Sequence, residues 1–146
     1  MADKTIDPNN PVAKLCADGM QAEGEGDHRK AQDLFLQAWE VASDAFEACI
    51  AAHYVARHQP NPEETLRWNQ VAWRLARAAG DDRCAGFFPS LLLNLGHSYE
   101  TLGNLPQAKQ YYESAMERAK VLPPDQYGNM VRDGISRGLQ RVAANA

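Results

Sequence analysis

The sequence of 146 residues predicts an all-α protein of about seven helices, and three observations carry that expectation. Apolar residues recur at helical spacing along most of the chain. Ala, Leu, Gln, Glu and Arg, which lose little freedom in a helix, outnumber the β-branched Val, Ile and Thr. Capping and breaking residues cut the chain at regular intervals: Asn10-Pro11, Gly26-Asp27, Gln59 to Pro62, Gly80, Gly103-Asn104 and Pro123-Pro124.

Asn10 and Pro11 make a cap and first-turn pair that opens a helix through about Glu25. A second helix is expected from about His28 to Ala42, with Leu34, Phe35, Ala38 and Trp39 inward. A third runs from about Ser43 to His58 on Phe46, Ile50 and Tyr54, and the prolines at 60 and 62 end it because they cannot continue the hydrogen-bond ladder. Glu63 and Glu64 suit the positive end of a fourth helix, with Leu66, Val71, Leu75 and Ala76 inward to about Gly80. The fifth begins between Asp82 and Pro89 and carries Phe88, Leu92, Leu95, Tyr99 and Leu102. The sixth spans about Leu105 to Val121 and the seventh about Asp125 to Ala143.

The helices pair by short turns, and the pairs repeat. Ala31, Phe35, Ala38 and Trp39 recur 34 residues later as Thr65, Asn69, Ala72 and Trp73, then 43 later as Ala108, Tyr112, Ala115 and Met116. Leu15, Gly19 and Gly26 match Leu92, Gly96 and Gly103 at a constant offset of 77. Gly19 and Gly96 belong where the two helices of a hairpin approach closely, with the alanines opposite.

Leu92, Leu95-Gly96, Tyr99, Ala108 and Tyr112 resemble the tetratricopeptide repeat, a helix-turn-helix of 34 residues. The third hairpin, about residues 89–122, carries the match. The first, about 12–45, keeps Leu15, Gly19, Ala31, Phe35 and Ala38 but has Asp18 and Ala22 at positions usually Leu and Tyr. The second, about 44–79, fits with Ile50, Ala51 and Tyr54 if its turn holds two extra residues. The resemblance implies one domain over residues 1–146: a right-handed superhelix of three hairpins closed by a capping helix at about 125–143. In that helix Val131, Gly134, Ile135, Gly138, Leu139 and Val142 form one stripe, with Arg132, Asp133, Arg137, Gln140 and Arg141 outward. Two glycines in it cost about 1 kcal/mol each relative to Ala, which close packing would explain; the alternative is a homodimer seam through them.

Composition narrows the function. The formal charge is −4, the pI is near 5.5 and no basic run exceeds two residues, so neither nucleic acid nor an anionic membrane is an expected partner. Met1 to Pro11 lacks the apolar region of a secretory signal, and stretches such as Leu91 to Leu93 are too short to span a bilayer. Cys16, Cys49 and Cys84 are odd in number and widely spaced, which reads as free thiols in a reducing cytoplasm. An initial Met and a capped last helix are what an entire small protein would show. His28, His53, His58 and His97 lack metal-ligand spacing, and there is no Gly-rich phosphate loop, so no cofactor or metal and no catalysis are expected. His53, Glu47 and His97 are the one titratable group that neighbouring hairpins could assemble. Of the tryptophans, Trp39 and Trp73 share a repeat position and read as packing, leaving Trp68 partly exposed.

The resemblance places an unidentified protein or peptide on the concave surface of the first helices, making the chain a scaffold in monomeric or homodimeric form. By position that surface comprises Cys16, Met20 and Glu23; Ala52 and Val55, with Ala48 and Ala56; and Ser90, Leu93, Asn94, His97 and Thr101, with Glu100. Leu93 either lines this groove, beside Asn94 and His97, or packs on the segment around Phe87. Cys16, Met20, Ser90 and Asn94 stand where chaperone-tail-binding relatives carry a Lys, Asn and Arg clamp, so specificity for a terminal carboxylate is not expected.

Overall fold

The computed structural model describes residue 7 and residues 9–80 and 85–146, and all the elements in them are helical. The chain divides into two compact units, Met1–Cys84 and Ala85–Ala146. The sequence expectations for Cys84, and for a fifth helix starting at 82–84, lie outside the described residues.

In the first unit, α1 spans Pro11–Gly24, α2 His28–Val41, α3 Ala45–Val55 and α4 Pro62–Ala79. Their ends are where the capping residues put them. Asn10 Oδ1 accepts the Val12 N–H at 2.8 Å, Asp27 Oδ1 the Lys30 N–H at 3.1 Å, Asp44 Oδ1 the Glu47 N–H and Asn61 Oδ1 the Glu64 N–H, both at 2.8 Å. Between α3 and α4 a single 3-10 turn spans Ala56–His58. Antiparallel pairing of α1 with α2 and of α3 with α4 buries a cluster of Ala22, Ala31, Phe35 and Val55, against which Leu34, Leu36, Trp39, Tyr54 and Trp68 pack. The Phe35 ring occupies the space that a Cβ at Gly19 would need.

The second unit contains α5 (Phe88–Thr101), α6 (Leu105–Ala119) and α7 (Gln126–Asn145). Here Asn104 caps α6 and Asp125 caps α7. Gly26 and Gly103, the last members of the 77-residue ladder, hold the two hairpin turns with φ of 82° and 83°. Tyr112 repeats the part of Phe35: fully buried, it lies against Gly96, and its other side is closed by Gly138 of α7.

Several sequence expectations need correction. In α4 the buried line is Asn69, Ala72 and Ala76; Leu66, Val71 and Leu75 are half-buried, because the small residues mark the face pressed against its partner helix. Arg132 is not an outward cation. Its guanidinium donates to the carbonyls of Ala119 (3.1 Å), Leu122 (3.0 Å) and Pro123 (2.9 Å), joining the Leu122 N–H on the first and tying down backbone acceptors at and beyond the end of α6. The glycine stripe of α7 is no free seam either, since Gly138 meets the Tyr112 ring and Gly134 meets Leu93 within the same chain.

Candidate functional site

Along α5 the residues sort by angle. Leu92 and Leu95 are buried, with Tyr99 partly so, while Ser90, Asn94, His97 and Thr101 fall on the opposite side within about 60° of one another at 3.6 residues per turn. His97 and Thr101 are exposed and Asn94 is half-buried. The Ser90 hydroxyl is hydrogen-bonded to the Tyr127 hydroxyl of α7, which also donates to the Gly86 carbonyl at 3.4 Å. Leu93 belongs with α7: its Cδ2 lies 3.2 Å from where a Gly134 Cβ would stand. Neither sequence reading of Leu93, groove lining or packing near Phe87, named this partner, because only folding brings α7 beside α5.

Glu100, the last residue but one of α5, is held by two side chains. Arg141 Nε donates to its Oε2 at 2.8 Å and Arg141 Nη2 to its Oε1 at 3.1 Å, while the Tyr112 hydroxyl donates to Oε1 at 2.6 Å. The Arg141 hydrogen bond, opposed by partial burial and helped by Tyr112, holds its pKa below the ordinary 4.5. Burial, with the bond to Glu100, pushes the Tyr112 phenol up.

The same arrangement stands in the first unit at the repeat-equivalent acid. Glu23 precedes Glu100 by 77 residues, and its Oε2 is bound by Arg57 Nε at 3.0 Å and His58 Nε2 at 2.5 Å. His58 in turn lies 5.1 Å from the His28 ring and 6.0 Å from Phe35. Both acids are therefore staples between a first helix and the helix or turn that follows the hairpin. The sequence signal was present in the 77-residue ladder, whose extension to these two acids marks the repeat.

The remaining surface expectations for the first unit divide. Met20 is exposed at 45%. Cys16, Ala52 and Val55 are buried, so no partner reaches them, and Ala48 is half-buried with Ala56 buried. The physical reason is legible in α3 itself: from Ala45 to Ala56 Glu47 is the only Asp, Glu, Lys or Arg, and a helix apolar on nearly all sides belongs inside. Burial pushes the Cys16 thiol up to about 12, leaving no thiolate near neutral pH. Glu47 is engaged by Asn10 Nδ2 and by the backbone N–H and hydroxyl of Ser43. His53 packs edge-on to Tyr54 at 5.2 Å, and burial followed by Arg57 pushes its pKa down to about 4. Among the described residues no group of three or more His, Cys, Asp or Glu side chains is arranged to hold a metal ion, and no helix is long and apolar enough to cross a membrane.

All three tryptophans are partly buried, not Trp68 alone. Trp39 and Trp68 meet edge to face at 5.1 Å, Arg67 lies over Trp68 and Arg77 over Trp73.

A family model described as tetratricopeptide repeat matches residues 89–121, which are α5, α6 and the turn between them. Residues 89–121 are similar to a tetratricopeptide repeat. The matched repeat is the hairpin whose Gly96 and Tyr112 pack ring against backbone, and repeats of this kind serve in general as protein-interaction scaffolds. No curated protein and no solved structure is significantly similar to the chain.

Proposed function

We propose that this protein is a binding scaffold that holds a peptide or protein segment on the outward face of α5, the first helix of the hairpin that matches the repeat. One observation carries the reading: Asn94, His97 and Thr101 face away from the core line of Leu92 and Leu95 and form a polar strip along about two turns of helix. Met20, at the position equivalent to His97, gives α1 of the first unit an exposed, adaptable apolar side chain of its own. In the same proposal residues 1–146 act as one domain, in the cytoplasm, as a monomer. The role is one of binding and not of catalysis, since Cys16 stays a thiol and the acids Glu23, Glu47 and Glu100 are each committed to structural partners.

The test is affinity capture from native cytosol with the parent and a His97→Glu, Thr101→Lys variant, which changes two exposed positions and adds a helix-compatible pair four residues apart. A protein retained by the parent and lost with the variant supports the reading. Identical capture by both, or none by either, removes it.

A further inference from the structure

The second helix of the second hairpin carries a set of side chains that the reading above leaves unused. From Thr65 to Gly80 the only charged residues are Arg67, Arg74 and Arg77. At about 100° per residue Arg67 and Arg74 point within about 20° of each other and Arg77 lies about 80° away, so the three guanidiniums share one side of α4 over about 15 Å of its length. All three are exposed. Trp68 and Trp73 border that side. The Arg67 guanidinium lies 5.4 Å from the Trp68 ring centre and the Arg77 guanidinium 5.6 Å from that of Trp73. Trp39, edge-on to Trp68, completes the border. Arg67 bonds Glu64 at 2.6 Å, whereas among the described residues no carboxylate pairs with Arg74 or Arg77.

We propose that this arginine and tryptophan face of α4 is a second docking surface, and that its occupant is an acidic segment of a partner protein carrying carboxylates together with apolar side chains. Charge complementarity is the first argument. The face is cationic on a chain of net charge −4, so the attraction is local and suits a short run of carboxylates, which the guanidinium fork grips with two parallel bonds. A nucleic acid gains its affinity from many neutralised phosphates and meets three arginines on an otherwise acidic protein. The second argument is composition. Trp and Arg dominate binding hot spots, and an arginine held over an indole has already given up part of the rotamer freedom that a partner would otherwise remove. The half-exposed indoles supply the apolar contact. The surface lies on a second helix, so it stands or falls apart from the first-helix strip.

The experiment uses the whole chain and a fluorescein-labelled helical peptide of about 14 residues, long enough to cover the stripe, with Glu at each third or fourth position and Leu between. Its Gln and Lys counterparts and an oligothymidine are the comparisons, and binding is read by fluorescence anisotropy at two salt concentrations. The Glu peptide is expected to bind at least about tenfold more tightly than the Gln peptide, less tightly at high salt. Arg74→Glu with Arg77→Glu should remove that preference and create affinity for the Lys peptide, a reversal that damage to the fold cannot produce. Arg74→Gln with Arg77→Gln should weaken the Glu peptide without the reversal, and His97→Glu with Thr101→Lys should leave it unchanged. Absence of binding, equal binding of the Glu and Gln peptides, or insensitivity to the Arg74 and Arg77 changes overturns the proposal. So does an oligothymidine bound as tightly as the Glu peptide, because the face would then be a general polyanion site.

Discussion

Replacing Gly96 with Ala sets two effects of known sign against each other. Alanine in place of a helical glycine stabilises by about 1 kcal/mol through backbone entropy alone. At Gly96, however, the new Cβ would stand 2.7 Å from both Cδ1 and Cε1 of Tyr112, well inside ordinary contact. The ring has little room to retreat, because a Cβ at Gly138 on its other side would meet it at 2.5 Å and its hydroxyl is bonded to Glu100 at 2.6 Å. Overpacking of such a site costs about 1 to 3 kcal/mol, so the net change is a loss of about 0 to 2 kcal/mol, and Gly96→Leu should lose more. Gly24→Ala is the internal reference: nothing lies within 4 Å of its would-be Cβ, so it should stabilise, by less than the interior term of about 1 kcal/mol because Gly24 is the last residue of α1. The three tryptophans all lie in the first unit, whereas amide hydrogen exchange along α5 and α6 reads the change where it is made. Faster exchange at Gly96→Ala beside slower exchange in α1 for Gly24→Ala is the expected pattern. If Gly96→Ala stabilises as much as Gly24→Ala, the tight approach of α5 to Tyr112 is not what keeps a glycine there.

Three further outcomes follow from the same contacts. Glu100→Gln and Arg141→Gln combined in a double-mutant cycle should show a coupling of about 1 kcal/mol, discounted for the exposure of Arg141; because the native carboxyl has a lowered pKa, its contribution is present above about 4.5 and disappears as the pH falls below that, so stability measured at acid pH should become insensitive to Glu100→Gln. His53 has the opposite chemistry: its native pKa of about 4 lies below the ordinary 6.5, the unfolded chain binds the proton more readily, and stability should be complete above about 6.5 and decline toward pH 4 by on the order of 2 kcal/mol, a slope that His53→Gln should flatten. Arg132→Ala leaves the carbonyls of Ala119, Leu122 and Pro123 without their shared donor and should cost about 1 to 3 kcal/mol, read as faster exchange at the α6 to α7 junction; unchanged exchange there would mean that water replaces the guanidinium without loss.

Local chemistry in the sequence determined the helices, their caps and their pairing. Asn10, Asp27, Asp44, Asn61, Asn104 and Asp125 cap the six helices they precede because each cap depends on one side chain and the backbone two or three residues on. Gly96 with Tyr112, and Gly19 with Phe35, were visible as a repeat before they were visible as contacts, since a glycine and an aromatic ring at fixed offsets record the close approach of two helices. The candidate site was less legible. A helical face can be drawn from period alone, but period does not say which neighbour covers it: Leu93 packs on Gly134, Ala52 and Val55 are interior, and Arg132 turns back onto three carbonyls. The staples at Glu23 and Glu100 join residues 34 and 41 apart, and the cation that answers each acid is decided by which helix arrives beside it. Those are long-range facts, and only the packed tertiary structure, where burial and charge pairing are settled together, could decide them.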